Sequence, residues 1–414
     1  MAKNIKTKNQ KRKEKLSKRN AFQTLKNLEE SRTKMVEYAP PVPSNKTFQQ
    51  EQQEVKKEMQ NLVINYFADR NGCGYFRSIW PSELLSTYKS RQILNCFMYM
   101  KDNHIIRFVK SFRFQRQATN EQLAAWKAYE DFRNKTGARY RLDYEIDDYL
   151  MGIEKYNTVA YNYFDAQKKS NHMYMIRNAD RVVFSTDFLK TVYTKDHGVD
   201  PNRIHVVKNT LPQFLFNLPL RKTPNTFEKR KPRIFWSGSA SHVGPGGDLE
   251  FLIPLIKKTL DEYQWVFLGV FPPELKNEVQ CGKIEFVQWV PTYALANMTF
   301  YKARPDICLA PLKPSVFNGC KSDLKLLEAC SFGTPIITTS FDNSGVEFHG
   351  ERVKSPYEEN AEICLEPDID IWKSAIDHIV DNPDYYMDVV QKQYSYINGR
   401  WMENYLDVWD DAMF

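Results

Sequence analysis

The sequence predicts an α/β protein of two Rossmann-like, doubly wound domains that face a cleft, preceded by a basic arm. Three observations carry that expectation. Short β-branched and aromatic runs alternate with longer helical stretches in both halves of the chain, as parallel sheets with crossover helices require. A polar, basic, proline-containing stretch at residues 219–232 separates the halves and reads as a linker. The 414 residues, with 14% aromatic content and 16 glycines, suffice for two full cores. Ligands of such sheets bind beyond the carboxyl ends of the strands.

The formal charge of +7 belongs to a tail. Residues 1–20 hold nine Lys or Arg and one Glu, whereas the remainder holds 49 basic and 50 acidic residues. Such a block either solubilises a chain or meets a polyanion. Residues 21–37 read as a short charged helix, Ala39–Pro43 as a linker and 46–60 as a Gln-, Glu- and Lys-rich helix. No apolar run is long enough to span a bilayer, and the first residues lack the apolar core of a signal peptide. Seven scattered cysteines without CxxC spacing indicate neither a disulfide framework nor a zinc site, which points to the cytoplasm.

In the first half, Leu62–Phe67 is a buried strand, followed by a turn containing Gly72 and Gly74 and then a helix. Arg77 is expected near that helix start, where an anion is favoured; a structural turn is the plain alternative. Residues 92–110 carry one or two strands, Ile105–Val109 the clearest. Residues 119–135 form an amphipathic helix, and a strand from Arg139 runs into Glu145, Asp147 and Asp148. A helix over 157–178, a strand over Arg181–Thr186 with Asp187 capping the next helix, and a strand at Ile204–Val207 complete the half.

The second half restarts at Arg233–Ser237, followed by a loop of Gly238, Ser239, His242 and Gly244–Asp248. Backbone amides at Gly238 and Ser239 suit phosphate or sugar oxygens, and His242 suits donation to phosphate. Further strands are expected at Trp265–Leu268, Ile284–Val287, Ile307–Ala310 and Ile336–Thr338. Trp289, beside Val290, either stacks on a flat ligand or fills the core. Lys321, Lys325 and Glu328 follow one helical spacing, and Gly333 and Pro335 stop that helix. Two cations with one carboxylate match the phosphates and ribose hydroxyls of a nucleoside diphosphate; an ordinary surface charge pattern is the alternative. An amphipathic helix over Arg400–Trp409 ends the reading.

Glu328-Ala-Cys-Ser-Phe-Gly-Thr-Pro-Ile-Ile resembles the E-A-x-A-x-G-x-P-V-[IV] signature of GT-B glycosyltransferases, the group that includes family four. Cys320 stands where that family has a second glutamate. The variant KS-x-x-K-x-x-E, read from Lys321, Ser322, Lys325 and Glu328, resembles a phage and bacterial subgroup, as do GCGYFR…P at Gly72–Arg77 and Tyr144–Asp148. The loop from Gly238 resembles the family's GS-x-x-H-x-x-D-L. The resemblance covers residues 61–414 and is strongest over 233–340.

It implies a metal-independent, retaining hexosyl- or pentosyltransferase with no permanently bound cofactor. The co-substrate would be a nucleotide diphosphate sugar, with UDP expected. By this resemblance Lys321 and Lys325 neutralise the diphosphate, Ser322 lies beside them, and Glu328 orients the ribose. Gly238, Ser239 and His242 line the phosphates, while Trp289 and Val290 cup the base. Asp147 or Asp148 would be the acceptor base, with Gly74 and Arg77 on the acceptor side; a DxD metal site is the alternative for the carboxylates. The expected domains are 1–58 (arm, linker and helix), 59–218 (acceptor side, completed by 395–414) and 219–394 (donor side). Hydroxymethylated bases of phage DNA, met through the basic arm in the host cytoplasm, are the expected acceptor. A cytosolic enzyme of surface-polysaccharide or lipid-linked glycan assembly is the runner-up. A non-catalytic nucleic-acid-binding protein on a degenerate fold is the third reading.

Overall fold

The computed structural model describes residues 47, 61–101, 106, 109–217, 230–243, 245–289 and 293–414. The basic arm, the 21–37 helix, the 39–43 linker, all but Thr47 of the 46–60 helix, most of the 219–232 linker, and Val290 lie outside the described residues. Everything below concerns the compact unit Lys56–Phe414.

The first sheet contains β1 (Val63–Tyr66), β2 (Ile93–Cys96), β3 (Ser111–Gln115), β4 (Arg141–Ile146), β5 (Arg181–Phe184) and β6 (Ile204–Val206). Their order is β2-β1-β3-β4-β5-β6, every pair parallel. The second sheet contains β7 (Arg233–Gly238), β8 (Gln264–Gly269), β9 (Ile284–Gln288), β10 (Ile307–Ala310) and β11 (Ile336–Thr339). A two-stranded hairpin, β12 (Glu347–Phe348) and β13 (Glu351–Arg352), precedes its last strand, β14 (Cys364–Leu365). The order is β14-β11-β10-β7-β8-β9, again parallel throughout. Strands covered on both faces need near-continuous apolar sequence, and VINY, RVVF, ICLA and IITT are that sequence, with β1, β10 and β11 buried along their whole length.

Both sheets are doubly wound. The chain leaves β1 toward β2 and returns to β3 on β1's other side; it leaves β7 toward β8 and β9 and returns to β10. Each reversal opens a crevice at the strand carboxyl ends.

The helices that bear on the site are, in chain order, α1 (Trp80–Lys89), α2 (Asn120–Thr136), α3 (Thr158–Tyr163), α4 (Ala166–Asn178), α5 (Asp187–His197), α6 (Leu324–Ser331) and α7 (Leu406–Met413). Between α6 and α7 lie helices Ile369–Asp381 and Pro383–Asn398. Local chemistry sets the ends. Thr119 and Gln122 form a reciprocal capping box at α2. The expected 157–178 helix is split, because Asp165 accepts from Lys168 N and starts α4 anew. Thr186, rather than Asp187, caps α5 by accepting from Leu189 N.

Three further expectations are corrected. The strand after β2 is not Ile105–Val109 but Ser111–Gln115; Ile106 is helical, and residues 105, 107 and 108 lie outside the described residues. Arg113 and Gln115 are polar yet buried, which disguised the strand. Lys321 is not on the helix of Lys325 and Glu328: Asp323 is the N-cap, so Lys321 sits in the preceding turn. The terminal helix begins at Leu406, after a 3₁₀ turn at Met402–Tyr405. It contacts the first half. Asp407 pairs with Lys89, Asp410 pairs with Arg91, and Arg141 donates to the Met413 and Phe414 carbonyls.

Candidate active site

The reversal between β7 and β10 places Ser237, Gly238 and Ala310 at one wall of a cleft. The ends of β1, β3 and β4 bring Cys73, Arg116, Asp147 and Asp148 to the opposite wall. Two adjoining cavities of about 320 and about 490 Å3 fill the cleft, and Cys73, Asp147, Asn209, Ser239, His242 and Lys325 line both.

On the β7 side, α6 aims Lys325 and Glu328 into the cleft. Lys325 Nζ donates to Ser237 Oγ at 2.9 Å and stands 3.9 Å from Glu328 Oε2. Burial holds the Lys325 ammonium down to about 8, and the charge of Lys321 deepens the drop. Burial also pushes the Glu328 carboxyl up to about 8. Glu328 is largely buried and Lys325 about a third exposed, and both change charge near one pH, an arrangement that suits a charged ligand. Lys321 lines the smaller cavity with its ammonium 5.2 Å above the Phe317 ring. Ser322 accepts from Asn209 Nδ2 at 2.7 Å, tying the donor-side loop to the first half.

The loop after β7 is fixed by a buried carboxylate. Asp248 Oδ2 meets His242 Nδ1 at 2.6 Å, while Oδ1 accepts from Lys313 N at 2.8 Å and Asn318 Nδ2 at 2.9 Å. Burial alone would raise Asp248, but its contact with His242 and the charge of Lys321 bring it below its ordinary value. His242 is lowered, by burial first and Lys321 second. The carboxylate on Nδ1 favours the proton there, and in the neutral ring that the lowered pKa favours Nε2 is the acceptor.

Gly238 and Ser239 line the larger cavity with Trp289, which is 42% exposed and so belongs to the wall rather than the core. Gly269 makes that possible. Its φ is +98, and a Cβ there would come 2.6 Å from Trp289 Cε3, so glycine lets the indole lie on the end of β8.

Across the cleft, Arg116 Nη1 meets Asp147 Oδ1 at 3.3 Å and Nη2 meets Asp148 Oδ2 at 3.1 Å. The same Nη1 donates to Cys73 Sγ at 3.0 Å. Burial raises Asp147, with Asp148 adding to the rise, and Arg116 does not cancel it. Burial, then Asp147, keeps Cys73 a neutral thiol. Arg116 itself has φ +51, a conformation non-glycine residues adopt at a cost, commonly at functional sites.

Two expected acceptor-side residues do not reach the cleft wall. Arg77 is fully buried, with Nε 2.6 Å from Glu145 Oε1, and Nη1 donates to Val207 O and, at 3.0 Å, to Asn209 Oδ1. It acts one residue back from the cleft, through Asn209. Gly74 is packed on Asp69; a Cβ would come 1.7 Å from that carbonyl oxygen, so its glycine serves close packing.

Cys73, Arg116, Asn209 and Asp248 were not picked out as site residues by sequence reasoning. Asp248 had a local signal, as the acidic residue closing the glycine loop. Arg116, Cys73 and Asn209 meet only because β3, β1 and β6 end at the same edge.

No protein-family model matches the chain. A sequence relative, the putative teichuronic acid biosynthesis glycosyltransferase TuaH of Bacillus subtilis (strain 168), is 23% identical over 193 residues, 46% of each chain. The match thus spans about half the length of that relative. Among solved structures, HepE of Anabaena in complex with UDP-glucose aligns with TM-score 0.56 and 10% identity, covering 84% of this chain and 98% of its own. An alpha-glucosyltransferase in complex with UDP aligns with TM-score 0.52 and 13% identity, covering 84% and 99%. The same kind of enzyme, with UDP and a 13-mer DNA containing an HMU base, aligns at 0.53 with 12% identity, covering 84% and 98%. These likenesses establish the architecture: the chain has the GT-B fold, two parallel-sheet Rossmann-like domains.

Proposed function

We propose that the chain is a glycosyltransferase that moves a sugar from a UDP sugar to a hydroxyl on a hydroxymethylated DNA base. One observation carries the enzymatic part. Lys325 and Glu328, at the reversal of the second sheet, face Asp147 and Asp148 across shared cavities. A leaving-group cation and a candidate base therefore stand on opposite walls of one cleft. The GT-B fold and the glycosyltransferase relatives support the same class. The solved complex with HMU-containing DNA and the net +8 of residues 1–20 support the acceptor.

In this reading Lys325 and Lys321 neutralise the diphosphate as it departs. Glu328 meets the ribose hydroxyls, and Trp289 stacks on the uracil. His242, with Nε2 as acceptor, takes a sugar hydroxyl rather than a phosphate oxygen. Gly238 and Ser239 offer backbone amides to the phosphates. Asp147, whose raised pKa makes it the better proton acceptor of the two carboxylates, removes the acceptor proton. Arg116 holds it in place and pairs with Asp148 beside it. A base in duplex DNA must leave the stack to reach this depth.

Two expected results follow for the donor. UDP affinity should weaken above about pH 8, because both Lys325 and Glu328 then lose a proton and the site turns negative. Above that pH UDP binding should take up a proton, visible as buffer-dependent heat in calorimetry; a flat profile would exclude Lys325 as the phosphate contact. Trp289→Ala should raise KM for the donor about tenfold with kcat little changed, as loss of one stacking ring predicts.

The direct test is incubation with mixed UDP sugars and duplex DNA carrying 5-hydroxymethylcytosine, followed by weighing the nucleosides. A hexose or pentose added to the base supports the proposal. UDP binding with unmodified DNA would move the acceptor to a surface glycan, the second reading, which the similarity to TuaH favours.

A further inference from the structure

Beside the acceptor carboxylates the chain runs Lys155-Tyr156-Asn157-Thr-Val159-Ala160-Tyr161-Asn-Tyr163-Phe164-Asp165, and α4 then brings Lys168 and Lys169. Asn157 and Ala160 turn inward and line the smaller cavity. Phe164 is buried with its ring under Arg116, at 5.9 Å, so the segment is packed on the group that holds Asp147 and Asp148. The other side of α3 faces solvent. Val159 is 58% exposed, Tyr161 36% and Tyr163 56%.

Those rings are not scattered apolar surface. Lys169 Nζ lies 5.4 Å from the Tyr161 centroid, and Lys168 Nζ lies 4.6 Å from that of Tyr163. Each ammonium is also anchored on a main-chain carbonyl: Lys168 on Tyr163 O at 2.7 Å, Lys169 on Met151 O at 3.2 Å. The rings are thus held by one face with an ammonium beside each, that of Lys168 shared with the Asp165 carboxylate at 3.3 Å. Aromatic faces alternating with cations are what a strand of bases and phosphates fits: bases stack and phosphates meet the ammonium groups. An anionic polysaccharide would satisfy the charges but offers few flat rings for two tyrosines.

We propose that α3 with Lys168 and Lys169 is a stacking platform for an unpaired nucleic-acid strand flanking the acceptor base. The proposal rests on the DNA-acceptor reading above and gives that acceptor a docking surface on the rim of the carboxylate cavity. It also accounts for how an extruded base is kept out of its duplex: neighbouring bases gain ring contacts on the protein as they lose those in the stack.

The test is fluorescence anisotropy of a labelled single-stranded oligonucleotide on the full chain and on Tyr161→Ala/Tyr163→Ala. Both rings are exposed, so the variant should fold, and UDP affinity checks that it does. The expected result is a loss of oligonucleotide affinity of about tenfold or more with UDP affinity unchanged. A variant that binds the oligonucleotide as tightly as the unmodified chain overturns the platform and leaves the acceptor reading intact. An unmodified chain that ignores the oligonucleotide but binds an anionic polysaccharide overturns both.

Discussion

Replacing Lys325 with alanine is expected to lower kcat/KM for sugar transfer by about two to three orders of magnitude. The bond from sugar to diphosphate breaks with charge gathering on the departing oxygen. Lys325 is a partly buried ammonium at the reversal of the second sheet, where such charge is worth more than in open water. Its bond to Ser237 Oγ fixes the direction of the side chain before the donor arrives. The substitution removes one hydrogen bond to a hydroxyl and a 3.9 Å contact with Glu328 on a partly exposed side chain, so thermal unfolding should change little. Kinetics with saturating donor separate the two contributions: a fall in kcat assigns the cation to the transition state, a rise in KM alone assigns it to binding. Turnover near that of the unmodified enzyme would transfer the leaving-group role to Lys321.

Arg77→Ala should have the largest effect on stability, a loss of about 3–5 kcal/mol. Arg77 and Glu145 are both fully buried and in contact. Removing the guanidinium strands a carboxyl inside the first sheet, with Arg113 left nearby to offset part of the burial cost. It also breaks the contact with Asn209 and, through it, the link to Ser322. Urea unfolding measures the loss directly. Glu145→Gln in the same background should recover part of it, since an amide is cheaper to bury than an unpaired charge. No recovery would show that the cost lies in packing against Trp409, which the Arg77 guanidinium overlies at 4.8 Å.

Lys325 and Glu328 could be read from the chain because one short contiguous segment carries them, on one turn of one helix. Asp147 and Asp148 could be read because a β-rich run ends in them. Lys321 was misplaced by the same regularity: its spacing fits a helix, but Asp323 starts that helix two residues later. The misreading of Arg77 has another cause. A sequence displays charge, not burial, and nothing near Arg77 announces a partner 68 residues away. Arg116 and Cys73 were invisible for the reason that makes doubly wound sheets good scaffolds, namely that separate strands end at one edge. The strand order supplies that edge, and the strand order is not written locally.

The way α7 lies across the first sheet has a consequence for how the chain is made. Trp409 stands over the guanidinium groups of both Arg77 and Arg113, and α7 ties down Lys89 and Arg91 at the end of α1. The first half to be translated therefore holds buried charges whose cover is synthesised after the whole second half. Truncation before Leu406 is therefore expected to destabilise the first half although it leaves every strand of that half in place, a loss that urea unfolding would read.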